Sequence, residues 1–572
     1  MSWVLRYLAP LKRRLAVGVS VKVVGSLAEL FIPFLLSHIL ENVIKTNSVG
    51  TILAYGALMV LCAGAALAGN LIANRMAART TMLFSLRMRR ELFERTLHLS
   101  PRSTDRFTVP SLESRLTTDT YNVQNFIGML QRLGIRAPIL LLGGTAITML
   151  MDAKLALVML VTAPLIFLLV YGTSRRGVPL YAKVQRAVDG MVRVVREDAQ
   201  GIRVVKALSK VDYENARYDK ANEALRRAET RAGAITGVMN PCTTFLMNAG
   251  IVAVIAVSAH FVAEGRSSTT TVLAFMQYFT LISMAMMSLS RAFVNYTKCA
   301  ASARRISLVL ECESELALRP DDGRGDPSLH VAFEDVSFSY LGKKDNLKNV
   351  SFSLRHGEHL GIIGPTGSGK STLLWLLLRF YDADRGTVRI HGRDVRSYRP
   401  EELTAMFGTV FQNDFIYADT IEENIRFGRD LTAEDVVAAA KIAQAHDFIS
   451  AMPEGYAHPV STGGTNLSGG QRQRLLIARA LAARPEILLL DDASSALDYK
   501  TDAALRAALG EALPESTVIT VAQRVSSVKG CDLILVIEDG EIIGCGKHEE
   551  LLATCAEYRE ISESQMGGAF LD

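Results

Sequence analysis

The chain has 572 residues, 49% hydrophobic and 21% charged, with a formal net charge of +5. A mean hydropathy of +0.20 argues against a wholly soluble protein and for an apolar half joined to a soluble one, and so mild a positive surplus gives no reason to expect nucleic acid. Seven cysteines without a CxxC pair exclude a disulfide or zinc framework and fit a reducing compartment.

Lys12, Arg13 and Arg14 precede an apolar run too long for a secretory leader, so a retained membrane helix is expected at the start. Six apolar segments of bilayer-crossing length follow one another, at 15–40, 51–73, 132–151, 155–172, 239–262 and 270–293. Arginines and lysines crowd one set of connections: Arg75, Arg79, Arg87, Arg89 and Arg90 after the second span, Arg175 and Arg176 after the fourth, Arg226, Arg227 and Arg231 before the fifth. The connections near 41–50, 152–154 and 264–268 are short and nearly free of them. The bias predicts an integral multi-pass protein with both termini cytoplasmic.

The two long cytoplasmic connections, 74–131 and 173–237, are rich in Arg, Glu, Ala and Leu. They should be helices running on out of the membrane, with tips at 108–119 and 197–208 that dock on a partner surface. Lys22, Glu29, His38, Asn248, Gln277 and Tyr278 lie within the spans. Glu29 is the foremost candidate for a cavity-facing charge, whereas Lys22 has the reach to snorkel. Met276, Met284, Met286 and Met287 are adaptable side chains that suit core packing or an apolar pocket.

Residues 311–328 break the apolar periodicity with charges, proline and glycine and form a linker. Beyond them, short apolar strands alternate with helical segments, the pattern of an α/β domain. Its centre is Gly364-Pro365-Thr366-Gly367-Ser368-Gly369-Lys370-Ser371, after the strand-like Leu360-Gly361-Ile362-Ile363 and before the helical Thr372-Leu373-Leu374. Glycines let backbone N–H groups curl around phosphate oxygens, the helix N-terminus adds partial positive charge, Lys370 reaches the β- and γ-phosphates and the Ser371 hydroxyl can ligate Mg²⁺. Asp491, ending the strand Ile487-Leu488-Leu489-Leu490, is placed to hold Mg²⁺. Gln412 can sense the metal or the attacking water, Tyr340 can stack on a base, and Leu467-Ser468-Gly469-Gly470-Gln471 opens an Arg-rich helix as a second anion-facing N-terminus.

Together these residues resemble the nucleotide-binding domain of ATP-binding cassette (ABC) transporters, and the LSGGQ run at 467–471 is the most specific of them. The order is also the family's: Tyr340, the Walker A loop 364–371, Gln412, the signature, the Walker B strand ending at Asp491, and Ser495-Ala496-Leu497-Asp498. The resemblance implies a multidomain membrane protein: a six-helix all-α transmembrane domain (1–310), a linker (311–328) and an α/β P-loop, RecA-like cassette (329–572), a half-transporter of the type IV exporter fold. It implies ATP and Mg²⁺ as cofactors, with Tyr340, Gly364, Thr366, Gly367, Ser368, Gly369, Lys370, Ser371, Thr372 and Gln412 on the chain's own nucleotide. Ser468, Gly469, Gly470 and Gln471 would face a partner's nucleotide, and Ser371, Gln412 and Asp491 the metal. It also implies a bacterial cytoplasmic membrane and coupling helices within 108–119 and 197–208.

Two positions depart from the family. Its Walker B glutamate is Asp492 here, and its switch histidine is Gln523. Aspartate draws the carboxylate back by roughly 1.5 Å, and glutamine cannot carry the proton that histidine can. Positions 460–465 also lack the acid often found in the family's X-loop. The expected protein is one half of a heterodimeric ATP-driven exporter of lipophilic or amphipathic compounds, and a homodimer fits less well. Its own Walker site holds ATP weakly hydrolysed, and its signature completes the partner's active site. The alternatives are an importer of the same fold, with siderophore-like substrates, and an ATP-gated regulatory subunit.

Overall fold

The computed structural model describes residues 2–46, 48–263, 269–313, 316–340, 342 and 344–567. The predicted connection at 264–268 lies outside them. The chain divides into two units, Met1–Leu99 with Phe107–Cys312, and Ser100–Arg106 with Glu313–Asp572.

The first unit is helical, and among the described residues it holds six helical stretches long and apolar enough to cross a membrane. Its long helices are α1 (Lys12–His38), α2 (Val49–Leu97), α3 (Thr120–Met151), α4 (Ala153–Ala207), α5 (Val211–Gly237), α6 (Met239–Ala263) and α7 (Thr269–Leu310). The capping carboxylate of Asp152 accepts from Lys154 N and Leu155 N, which starts α4 one residue after α3 ends. Lipid offers helices no hydrophobic incentive to associate, so small residues that permit backbone contact decide the pairing. Gly25 and Gly69 do this for α1 and α2: a Cβ on Gly69 would lie 2.9 Å from Gly25 Cα.

Three of the polar residues within the spans, Tyr278, Lys22 and Glu29, are held by other helices. Tyr278 is buried and donates to Leu30 O at 2.6 Å. Lys22 does not snorkel: it is 3% exposed, and its Nζ donates to Asn70 Oδ1 at 2.7 Å and Asn74 Oδ1 at 3.2 Å on α2. Glu29 accepts both arms of Arg136, at 3.1 and 2.6 Å. Where α3 begins, the buried Asp119 carboxylate receives Ser302 Oγ at 2.8 Å and Arg305 Nε at 2.7 Å, both from α7.

The expected tip at 108–119 is displaced. Those residues form Val109–Ser114 and a π-helical turn, Arg115–Asp119, within the first unit. The separate short helix is Pro101–Phe107, and residues Ser100–Arg106 belong to the second unit. Ser100 Oγ accepts from Ser103 N, and Pro101 needs no acceptor in the first turn. The second reversal falls at 208–210, between α4 and α5, so 197–208 is mostly the end of a continuous helix.

The second unit has two sheets. One is antiparallel, in the order β2 (Leu347–Arg355), β1 (Leu329–Phe338), β4 (Arg385–Ile390), β5 (Arg393–Asp394). The other runs β10 (Glu541–Gly546), β9 (Leu533–Glu538), β3 (His359–Ile363), β8 (Thr517–Val521), β7 (Ile487–Asp491), β6 (Phe407–Val410), parallel except for the β10 edge. The run Ile487–Asp491 is buried throughout because both faces of the sheet are covered: Ile487 and Leu489 pack with the antiparallel sheet and the helix Lys370–Leu377, Leu488 and Leu490 with helices. Residues 316–328 are bound to the antiparallel sheet: Arg389 grips Asp322 with both terminal nitrogens, at 2.7 and 2.8 Å.

Candidate functional site

Strand register assembles the site. Val521 of β8 pairs with Ile362 of β3 on one side and Asp491 of β7 on the other. The loop after β3, the carboxylates ending β7 and the residues after β8 therefore emerge together at the C-terminal edge of the sheet, where open α/β folds bind their ligands.

The loop 364–369 has a conformation that only glycine allows at two points. Gly364 has φ +153°, and a Cβ there would lie 2.0 Å from Ile537 O; at Gly369, φ +105°, a Cβ would lie 2.8 Å from Asn346 O. The helix Lys370–Leu377 starts directly after it. Lys370 Nζ bridges back across the loop to Gly364 O at 2.9 Å and Pro365 O at 2.6 Å. Ser368 Oγ is buried without a partner among the described residues, and Gly367 faces open space. A concave loop with free N–H groups at a helix start, a cation and an orphaned hydroxyl fits a polyphosphate.

Asp491 is 4% exposed, accepts from the Ser371 hydroxyl, and has its carboxyl held above the usual range by burial. Burial also raises the Asp492 carboxyl and lowers the Lys370 ammonium, the latter against the pull of both carboxylates. A buried and a half-buried carboxylate beside one lysine form a donor set that a hard divalent cation would relieve. Asp492 has φ +52°, a left-handed conformation that aspartate tolerates better than most residues. Its Oδ2 accepts from Gln523 Nε2 at 3.0 Å, so the two departures from the family pattern touch each other.

A cavity of about 680 Å³ beside the loop is lined by Tyr340, Ser371, Gln412 and Asp491, and also by Trp375, Phe411 and Asp105. Tyr340 donates to Thr372 Oγ1 at 3.1 Å and stands edge-on to Phe338, Tyr381 and Trp375. Tyr381 donates to Asp105 Oδ2 at 2.8 Å, so the short helix Pro101–Phe107 reaches the rim of this cavity. Sequence reasoning overlooked Asp105 and Tyr381; the Ser100-Pro101 helix start was the available sign of that segment.

The signature lies elsewhere. Ser468 caps the helix Gly469–Leu481 in a reciprocal capping box with Gln471, and Ser468 and Gly469 are exposed. The signature's close neighbours are Ala496 and Leu497, and none of its residues lines the cavity around Tyr340. Within one chain, Walker loop and signature do not meet.

Residues 15–286 match the ABC transporter transmembrane region and residues 347–495 the ABC transporter cassette. A protein of Mycobacterium tuberculosis named as an ABC transporter ATP-binding protein is 33% identical, over 98% of this chain and 97% of its own length. The chain belongs to the ABC transporter family. This half-transporter is also 32% identical, over 79% of its length and 72% of the other's, to a Mycobacterium bovis protein named a fatty acid ABC transporter ATP-binding/permease protein. Its fold matches a bacterial Atm1-family ABC exporter with ATP bound at a TM-score of 0.83, with 24% identity and coverage of 97% and 98%. It is therefore an integral, ATP-binding and ATP-hydrolysing transporter subunit with the exporter fold, in a family whose members work as dimers.

Proposed function

We propose that this half-transporter is the degenerate-site subunit of a heterodimeric exporter of lipophilic or amphipathic compounds. It would lie in a bacterial cytoplasmic membrane with both termini inside. The observation that carries this reading is the Asp492–Gln523 contact: the position of the general base holds a shortened carboxylate, tied to a side chain that cannot take up a proton. Tyr340 offers its ring to the adenine. The loop 364–369 and Lys370 hold the phosphates, Thr372 supports Tyr340, and Ser371, Asp491 and Gln412 are the residues that would hold Mg²⁺. Mg²⁺ supplies neutralisation of phosphate charge there. Each part needed to bind is present, and the two parts needed to take a proton from water are weakened, which costs rate and spares affinity.

An exposed signature is useful only to a second cassette, so Ser468, Gly469, Gly470 and Gln471 complete a partner's site. The partner is expected to carry the glutamate and histidine that this chain lacks. The relative named for fatty acids supports an amphipathic substrate. Inside-out vesicles containing the transporter should accumulate labelled amphiphile when ATP is added. Depletion would mean import, and the absence of any gradient would mean a gate. Brisk ATPase activity of the chain purified alone as a homodimer would overturn the heterodimer.

A further inference from the structure

We infer that Lys22, Arg132 and Arg136 form a site in the membrane unit for the anionic headgroup of an amphiphile, and that the adjoining apolar cleft takes the first carbons of its tail. This rests on the reading of the protein as a transporter of amphipathic compounds and specifies their charge.

The three cations line one cavity of about 580 Å³ together with Asn70 and Asn74. Arg132 and Arg136 are four residues apart and share a face of α3; Lys22 approaches from α1. Lys22 lies ten residues along α1, about 15 Å from its start. A buried cation within a membrane-spanning helix is costly and usually has a functional reason. The partners of Lys22 are amide oxygens, which orient an ammonium without cancelling its charge. Asn70 is itself fixed by donating to Ala66 O at 2.8 Å. Arg132 Nε donates to Gly128 O at 3.0 Å, and among the described residues no carboxylate pairs with Arg132 or Lys22. Glu29 is ion-paired with Arg136. Among the described residues the cavity thus carries three cations against one carboxylate, an excess of positive charge.

A second, narrower cavity of about 110 Å³ shares Leu133 and Arg136 with the first and continues over Leu140, Leu281, Met284 and Met287. Met284 is 59% exposed, and its unbranched chain can adapt to tails of different shape. A polar, positively charged chamber opening onto an apolar cleft at Arg136 matches a carboxylate or phosphate carried on a hydrocarbon tail. It disfavours a cationic amphiphile by like-charge repulsion, and a free inorganic anion leaves the cleft unused.

The test is equilibrium binding to the assembled transporter in nanodiscs of neutral lipid. Labelled oleate, oleyl alcohol and oleylamine hold the tail constant while the headgroup changes; dodecyl phosphate and inorganic phosphate separate headgroup from tail. Oleate and dodecyl phosphate should bind at least roughly tenfold more tightly than oleyl alcohol, as loss of a charge-assisted contact implies. Oleylamine should bind more weakly still, and millimolar inorganic phosphate should not displace oleate. Arg132→Gln should lose most of the preference for oleate over oleyl alcohol, and Arg132→Lys should keep it. The pair Glu29→Gln with Arg136→Gln removes one cation together with its own carboxylate and should change the preference much less than Arg132→Gln does. Equal binding of all headgroups, an unchanged preference in Arg132→Gln, or displacement by phosphate alone overturns the assignment. ATP-driven movement of amphiphiles without headgroup preference would refute this inference and leave the transporter reading standing. A clear headgroup preference without ATP-driven movement would do the reverse.

Discussion

Replacing Asp492 by glutamate and Gln523 by histidine together should turn a holding site into a cutting one. In the present geometry Asp492 Oδ2 is occupied by Gln523 Nε2 at 3.0 Å, and β8 fixes the backbone through the bond from Asp492 N to Val521 O at 2.9 Å. With the backbone pinned, one added methylene carries the carboxylate roughly 1.5 Å further from the strand end. A displacement of about 1 Å at a reacting group is worth on the order of 100-fold in rate, and a competent acid–base partner contributes roughly 10²–10⁴-fold. The two gains act on one step and will not multiply fully, so about 100-fold is the expected acceleration. The assay is single-turnover release of γ-phosphate from the assembled transporter, with the partner's own Walker lysine replaced so that only this chain's site is read. ATP affinity should change little, because Tyr340, Lys370, Ser371 and Asp491 are untouched. A double variant within threefold of the parent would refute the reasoning, since the slow step would then owe nothing to these side chains.

Two further outcomes follow from the second unit. His330 is 1% exposed, stacks on His356 and lies tilted against His391, and burial, then the neighbouring rings, lower its imidazole to about 4. Between about 4 and the ordinary value of 6.5 the unfolded chain binds a proton that the folded chain refuses. Stability should therefore fall as pH drops through that window, by about 3 kcal/mol in all. Denaturant unfolding at pH 7 and 4.5 should reveal this loss in the parent and a smaller one in His330→Gln; equal losses would contradict it. Gly364→Ala would place a methyl 2.0 Å from Ile537 O, so the loop must move by about 1 Å. ATP binding by equilibrium dialysis should weaken on the order of 100-fold with helix content by circular dichroism unchanged; near-parental affinity would show that the loop conformation is not needed.

The features legible in the sequence are those that depend on neighbours along the chain. The loop 364–371, the strand ending at Asp491 and the signature carry their geometry in consecutive residues, and six apolar stretches announce six spans. Contacts between distant segments were not legible. Lys22 has the reach to snorkel until Asn70 and Asn74, on another helix, are seen to hold it. Glu29 invited attention as a cavity-facing charge, yet its partner Arg136 lies 107 residues away on another helix. The expected tip at 108–119 missed Pro101–Phe107, because two prolines, Pro101 and Pro110, each mark a helix start between α2 and α3 and local pattern does not choose between them. That Asp492 and Gln523 touch is a matter of β7 and β8 being adjacent, which strand order decides and local pattern does not.

The proposed division of labour between two subunits is best examined by crippling this chain's two nucleotide-facing surfaces one at a time. In the assembled transporter, Ser468→Arg should lower steady-state ATPase activity roughly 100-fold, because it blocks the pocket in which the partner's nucleotide is cut. Lys370→Met should lower it only several-fold, because the nucleotide it loosens is held rather than turned over. A transporter that survives Ser468→Arg and loses its activity with Lys370→Met would contradict the account outright.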